Sequence, residues 1–154
     1  MIQKKWTYNM RTVNRIVLHC SATDLNTSVD SIKNYWRNVL KWRNPGYHYI
    51  IEQDGNIVQL LPVEKVSNGV QGFNADSVHI CTIGGKFSDD RTQAQRSSQK
   101  VMIQMLRQEF GHIPVVGHRD LSPDKNGDGK ITRDEWLKLC PNYDVANWLR
   151  SVGL

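Results

Sequence analysis

A nearly continuous apolar run over residues 78–83 is the feature that most constrains the fold of this chain. A strand that is apolar at successive positions is usually covered on both faces, so we expect it at the centre of a sheet with helices on either side. The other strand-like patterns alternate along the chain with helical ones. Since 154 residues is the usual size of one domain, the sequence predicts a single three-layer α/β domain over residues 1–154.

The remaining segments supply the strands and helices of such a domain. Thr92 and Gln95 have the spacing of a helix capping box, and Gly111 marks the end of the same helix. The predicted strands are one ending at Cys20, a hairpin of 47–53 and 56–61, and one reaching Gly117. The predicted helices cover residues 28–41, capped by Ser28 or Asp30, residues 92–110, and residues 144–150. The residues expected to be buried are Ile32, Tyr35, Trp36, Val39 and Leu40 on the first helix and Val101, Met102, Met105 and Leu106 on the second.

The composition is that of a basic globular protein. A net charge of +5 suits an anionic partner, which could be nucleic acid, a membrane surface or the bacterial cell wall. There is no Lys/Arg run with interleaved aromatics and no apolar stretch near the ~20 residues of a membrane span, so we expect neither nucleic acid nor membrane as a partner. Residues 1–8 contain no apolar core of a signal peptide. We expect a monomer made in the cytoplasm and released by another factor.

Three residues at predicted element ends have the chemistry of a metal site. His19 and His118 each end an apolar strand pattern, and Cys140 stands before Pro141 after a segment with a helical pattern. Two imidazoles and a thiolate are a set of zinc ligands that leaves a fourth position open for water. The chain has no CxxC or HExxH motif, so the fold would have to bring these ligands together. The other two cysteines, Cys20 and Cys81, are predicted to be buried core thiols.

A series of short motifs resembles one family of cell-wall hydrolases. In chain order the motifs are His19-Cys20-Ser21-Ala22-Thr23, Gly46-Tyr47-His48-Tyr49, Gly72-Phe73-Asn74, Ile83-Gly84-Gly85, Gly117-His118-Arg119-Asp120 and Lys138-Leu139-Cys140-Pro141. Over residues 15–149 the chain resembles the zinc N-acetylmuramoyl-L-alanine amidases of phage-lysozyme type, relatives of the peptidoglycan recognition proteins. The resemblance implies a mixed central sheet flanked by helices. It also implies hydrolysis of the bond between N-acetylmuramic acid and L-alanine, with His19, His118 and Cys140 as zinc ligands.

The same resemblance implies roles for three further residues. Tyr47 and Lys138 match positions that orient the substrate and stabilise the oxyanion, and Asn74 matches a contact to the muropeptide. Without the ligand motifs, Lys138 would be interpreted as a solvated charge and Tyr47 as a core aromatic. A related branch has a glutamate base near residue 81, where this chain has Cys81, so we name no carboxylate base. The other histidines are interpreted as core or hydrogen-bonding residues at 48 and 79 and as exposed at 112.

An insertion at residues 124–135, absent from the shorter phage enzymes, matches the pattern of an EF-hand calcium loop over its 12 positions. The alternative is a polar turn followed by a helix. Because Glu135 is expected to begin a helix carrying Lys138 and Cys140, we expect calcium to have a structural role. The calcium ligands would be Asp124, Asn126, Asp128, Lys130 and Glu135, with Thr132 acting through water.

Two functions other than that of an amidase remain open at this stage. A peptidoglycan-binding receptor could use the same fold without catalysis, although such relatives typically lose the cysteine ligand that is present here as Cys140. A calcium-binding interaction protein rests on the loop alone. Among amidases, the sequence is compatible with a phage endolysin and with a secreted antibacterial toxin.

Overall fold

The computed structural model describes residues 11–154, and its centre is a five-stranded sheet. The prediction concerning a signal peptide falls on residues outside this range. The strand order is β3-β2-β4-β1-β5, and all neighbouring strands are parallel except the antiparallel pair β2 and β3. The strands are β1 (Arg15–Cys20), β2 (Tyr49–Ile51), β3 (Ile57–Gln59), β4 (Ser77–Thr82) and β5 (Val115–Gly117).

Strand β4 lies at the centre of the sheet, and all six of its residues are buried, as the apolar run predicts. Helices α2 (Gln93–Phe110) and α3 (Val145–Ser151) cover one face, and α1 (Val29–Asn34) covers the other. The predicted three-layer α/β fold with a mixed sheet is therefore confirmed. Among residues 11–154, no helix combines the length and the apolar character needed to cross a bilayer.

The first helix differs from its prediction. It begins as expected after Ser28, whose hydroxyl accepts a hydrogen bond from the Ser31 N–H, but a π-helical turn replaces its second half at Tyr35–Val39. The extra residue in a π turn rotates the following side chains out of register with the α-helical face. Ile32 and Trp36 are buried as predicted, whereas Tyr35 and Val39 are exposed, and Leu40 lies at the exposed end of the segment.

The long helix α2 has the predicted limits but a rotated buried face. The Thr92–Gln95 capping box is present, and Gly111 is its C-cap. Met102 and Leu106 are buried, but Val101 and Met105 are exposed. Ile103 and two polar residues, Gln95 and Gln99, take the remaining buried positions. Gln95 Nε2 donates to the Ile83 and Ile51 carbonyls, and Gln99 bridges Arg91 and Tyr143, so the polar groups of both amides are satisfied.

The predicted helix from Glu135 to Cys140 is wrong. Only a 3-10 turn, Arg133–Glu135, forms there, and Trp136 leaves it in an extended conformation with φ −64° and ψ 124°. The Leu137 N–H donates to the Ser122 hydroxyl instead of to a carbonyl of a preceding helical turn. Lys138 and Cys140 therefore lie on an irregular segment.

Candidate metal centre and groove

The topology gathers His19, His118 and Cys140 at one edge of the sheet. β1 and β5 are parallel neighbours, so their carboxyl ends, which carry His19 and His118, meet at the same edge. Backbone hydrogen bonds bring in the third residue. The Arg119 N–H donates to the Cys140 carbonyl (2.9 Å), and the Cys20 N–H donates to the Cys140 sulfur (3.2 Å).

Two of the three donor separations are close to those expected around a single zinc ion. His19 Nδ1 lies 3.2 Å from His118 Nδ1 and 3.8 Å from Cys140 Sγ, and the three donors lie within 4.8 Å of one another. Tetrahedral coordination at ordinary Zn–N and Zn–S bond lengths places two nitrogens about 3.3 Å apart and a nitrogen and a sulfur about 3.6 Å apart. Among residues 11–154, this is the only such cluster of three or more His, Cys, Asp or Glu donors.

Burial keeps both histidines in the form that binds metals. Desolvation by burial, assisted by the charge of Lys138, lowers the pKa of His118 to about 4. Burial and the neighbouring His79 and His118 lower the pKa of His19 well below its ordinary value. Cys140 behaves in the opposite way, because a hydrogen bond with the Cys20 thiol and burial raise its pKa. At neutral pH the site therefore holds two neutral imidazoles and a protonated thiol.

His79 is the neighbour of this cluster that sequence reasoning missed. Its Nδ1 lies 2.8 Å from His19 Nε2, and both side chains are buried. The expectation of a buried core residue was right, but the contact with His19 was not anticipated. His19 pairs with Cys81 in the sheet, so His79, two residues earlier on β4, projects from the same face as His19. Strand periodicity combined with a known register is the signal that would have found this contact.

The other two histidines lie where they were predicted. His48 is buried, its Nδ1 accepts the His79 backbone N–H (3.0 Å), and its Nε2 lies 2.7 Å from the Lys65 carbonyl. Burial lowers the pKa of the His48 ring to about 4, so the ring is neutral at pH 7. His112 is exposed after the end of α2.

A groove passes over the metal cluster and is divided by Lys138 and Trp42. On one side is a cavity of about 640 Å³ lined by Asn74, His118 and Leu137, and on the other is one of about 650 Å³ lined by Ser21, Tyr35 and other residues. Both cavities include Lys138 and Trp42 in their walls. Between them, a smaller cavity of about 170 Å³ reaches inward to Tyr47, Lys138, His118 and Cys140.

The predicted catalytic and binding residues line this groove in different ways. Tyr47 lies deepest, with its ring centroid 4.8 Å from that of His19, and burial raises the pKa of its phenol well above the ordinary value. Lys138 is exposed at the rim. Asn74 lies in the wall of the outer cavity that is also lined by Leu137, where its side-chain oxygen accepts the Val70 N–H at 2.7 Å. Cys81 is fully buried, and its thiol donates to the Thr82 carbonyl at 3.4 Å.

In the 124–135 loop, the predicted calcium ligands accept backbone hydrogen bonds. Asp124 accepts the Gly127 and Gly129 N–H groups, and Glu135 accepts those of Lys125, Asn126 and Thr132. The Thr132 N–H, followed by those of Asn126 and Lys125, lowers the pKa of the Glu135 carboxyl. Asp128 and Asn126 likewise accept local N–H groups, so the loop side chains satisfy backbone donors.

The sequence matches known amidases. A sequence model of the N-acetylmuramoyl-L-alanine amidase family matches residues 9–132, which is most of the chain but ends before Lys138 and Cys140. The endolysin of Enterobacteria phage K11 is 26% identical over 160 aligned residues, covering 100% of this chain and 96% of the relative. That alignment extends beyond residue 132 to the end of the chain.

Solved structures share the fold. The N-acetylmuramoyl-L-alanine amidase LysC from Clostridium intestinale superposes with a TM-score of 0.74 at 22% identity, covering 96% of this chain and 89% of that one. Human PGRP-IBETAC, solved in complex with glycosamyl muramyl pentapeptide, gives 0.70 at 17% identity, covering 94% and 87%. At these identities the likeness concerns the fold, and the family match rests on the sequence. This chain belongs to the N-acetylmuramoyl-L-alanine amidase family.

Proposed function

We propose that this protein uses a zinc ion to hydrolyse the amide bond between N-acetylmuramic acid and L-alanine in bacterial peptidoglycan. The observation that carries the proposal is the donor cluster of His19, His118 and Cys140 in the wall of a groove. Membership of the amidase family supports the reaction class. The endolysin relatives support a role in cell-wall lysis.

The residues present fit the proposed zinc ion. His19 and His118 would bind through neutral imidazoles and Cys140 through its thiolate, toward which the Cys20 N–H already points. When bound, zinc supplies a Lewis acid that polarises a carbonyl and lowers the pKa of water. The chain supplies the walls of the groove and the groups that orient the substrate.

We assign oxyanion stabilisation to Lys138 and Tyr47. Amide hydrolysis develops negative charge on the carbonyl oxygen, and preorganised donors at that position lower the barrier. Lys138 offers a cationic donor at the rim, and the raised pKa of Tyr47 keeps its hydroxyl protonated and able to donate. We also assign a muropeptide contact to Asn74. Its oxygen is held by Val70, so its amide nitrogen would be the donor facing the groove.

Product analysis tests the proposed reaction. Purified peptidoglycan digested with the zinc-loaded protein should release free L-alanine amino termini without new reducing sugar ends, as read by mass spectrometry. His118→Asn should lose zinc and activity. His112→Asn, which changes an exposed histidine outside the groove, is the matched control and should retain both. New reducing sugar ends would contradict the proposed amidase activity.

A receptor without catalysis is the second candidate, and the fold of human PGRP-IBETAC favours it. The complete donor set, including Cys140, favours the enzyme. The two proposals differ in one measurement. Stoichiometric binding of muropeptide by the folded, zinc-loaded protein with no bond cleaved would identify a receptor.

We further propose that the loop over residues 124–135 binds Ca²⁺ in a structural role. Support comes from the full match to the 12-position pattern, with Asp124, Asn126, Asp128 and Glu135 as side-chain ligands and Lys130 as a carbonyl ligand. Carboxylates that now accept backbone N–H groups would turn toward the ion. The loop is connected to the metal centre through Trp136 rather than through a helix. The Trp136 ring centroid lies 3.8 Å from the guanidinium carbon of Arg119, which follows His118 in the chain.

Calcium should therefore raise the melting temperature of the wild-type protein. A ligand that binds only the native state stabilises it by roughly 2.7 kcal/mol at a 100-fold excess over Kd. Asp128→Asn and Glu135→Gln should abolish the increase, while Asp134→Asn, an exposed neighbour outside the ligand set, should keep it. An equal increase in all three variants would leave the loop as a polar turn.

The biological setting is also a proposal. Similarity to endolysins supports a protein that acts on the cell wall after a separate factor releases it. We propose that it acts as a monomer, with peptidoglycan as its partner, and that neither nucleic acid nor membrane is its target. Analytical ultracentrifugation at micromolar concentration tests the oligomeric state.

A further inference from the structure

The buried contact between His19 and His79 determines which nitrogen of His19 can bind a metal. His19 Nδ1 faces His118 and Cys140, and its Nε2 faces His79 Nδ1 at 2.8 Å. An imidazole that binds a metal through Nδ1 carries its proton on Nε2 and needs an acceptor for it. His79 Nδ1 is placed to be that acceptor, which leaves the proton of His79 on its own Nε2.

Two neighbours fix the position of the His79 ring. The backbone N–H of His79 is held by His48 Nδ1 (3.0 Å), and the two rings are stacked with centroids 6.0 Å apart. Gly69 also lies close to the ring. A Cβ atom added at Gly69 would lie 2.2 Å from His79 Nδ1, so only glycine allows this approach without movement of the ring.

Histidine at position 79 lowers the stability of the fold. Its side chain is fully buried, yet Nε2 has no hydrogen-bond partner among the described residues. A buried polar group without a partner costs stability, and an aliphatic side chain of similar size would avoid that cost. Within residues 11–154, the one side-chain hydrogen bond that His79 makes is to His19. The fold therefore leaves the His79 Nε2–H without a partner while it places His79 Nδ1 as an acceptor beside the His19 ring.

We propose that His79 is a positioning residue that holds His19 in the tautomer and orientation that bind zinc through Nδ1. The inference rests on the proposed zinc site. It concerns a residue outside the donor set, and loss of such an outer partner typically weakens metal binding by roughly 10–100-fold.

Zinc affinity measured by competition with a chelator tests this role directly. His79→Leu removes the acceptor and replaces it with an apolar side chain of similar volume. This variant should bind zinc roughly 10–100-fold more weakly than wild type. In His79→Asn the side-chain oxygen takes the place of Nδ1 and should restore most of the affinity. Gly69→Ala, which leaves His79 in the chain but displaces its ring, should weaken binding as His79→Leu does. His112→Asn is the control at an exposed histidine and should bind as wild type.

Melting of the metal-free proteins separates positioning from folding. His79→Leu should melt near the wild-type temperature, because it removes the unpaired Nε2 donor of His79 but also leaves the buried His19 Nε2 without its partner, and it should gain less from added zinc. Wild-type affinity in His79→Leu, or a loss of affinity that only mirrors a lower metal-free melting temperature, would overturn the inference. Failure of the wild-type protein itself to bind zinc would instead reject the proposed metal site. In ¹⁵N spectra of the zinc form, His19 should carry its proton on Nε2, and a proton on Nδ1 would contradict the assignment.

Discussion

At the scale of single residues, the three metal donors differ in their protonation before a metal binds. The pKa of His118 is about 4 and that of His19 is also lowered, so both rings are neutral at pH 7. The pKa of Cys140 is raised, so its thiol keeps its proton. Zinc binding should release about one proton at pH 7, from Cys140. Calorimetry in buffers of different ionisation enthalpy measures that number, and a release near zero would contradict the raised pKa of Cys140.

Lys138 is the residue whose role is easiest to separate from metal binding. Lys138→Ala should bind zinc normally and lose roughly 10²–10³ in kcat, the usual effect of removing one oxyanion donor. Because the charge of Lys138 lowers the pKa of His118, that pKa should rise in the variant, which NMR titration of the metal-free protein measures. Lys33→Ala, which changes an exposed lysine on α1 outside the groove and the loop, is the control. Unchanged turnover in Lys138→Ala would make this lysine a solvated surface charge.

At the scale of elements, the capping box of α2 gives a prediction independent of the active site. The Thr92 hydroxyl accepts the Gln95 N–H (3.0 Å) and donates to the Gln53 carbonyl (2.7 Å). Thr92→Ala should therefore lower the free energy of unfolding by about 1 kcal/mol. Urea denaturation measures the change, with Gln93→Ala, exposed in the first turn, as the control. Equal stability of the two variants would show that the cap contributes little.

Elements specified by local patterns were predictable, and those that depend on tertiary contacts were not. The burial of β4 and the limits of α2 follow from an apolar run, a capping box and a terminal glycine. The rotated face of α2 could not be predicted, because Gln95 is buried only where its side chain meets the carbonyls of Ile51 and Ile83. The segment after Glu135 is irregular because Ser122 supplies an acceptor that the local sequence does not reveal.

The candidate site shows the same division. His19, His118 and Cys140 were identified through motif resemblance, since residues so far apart in the chain have no spacing rule. The contact of His79 with His19 depends on the register of β1 against β4, which periodicity alone does not give.

At the scale of the whole molecule, the buried histidines make stability depend on pH. The pKa values of His48 and His118 are about 4 and that of His79 is about 3, whereas unfolded histidine has a value near 6.5. Between these values the unfolded chain binds more protons than the folded one, so stability falls as the pH decreases from about 6.5 toward 4. Urea midpoints of the metal-free protein at pH 7 and pH 4.5 test this, and equal midpoints would contradict the low pKa values.

The positions of the three metal donors along the chain have a consequence for the protein's resistance to local unfolding and proteolysis. His19 is separated from His118 by 99 residues and from Cys140 by 121, so an ion held by all three would act as a reversible cross-link closing two long loops. Such a closure reduces the conformational entropy of the unfolded chain. The ion would also restrain the irregular segment that carries Cys140. That segment forms few hydrogen bonds of regular secondary structure. Chelation should therefore make the segment over residues 122–140 the first site of protease cleavage, and added zinc should protect it.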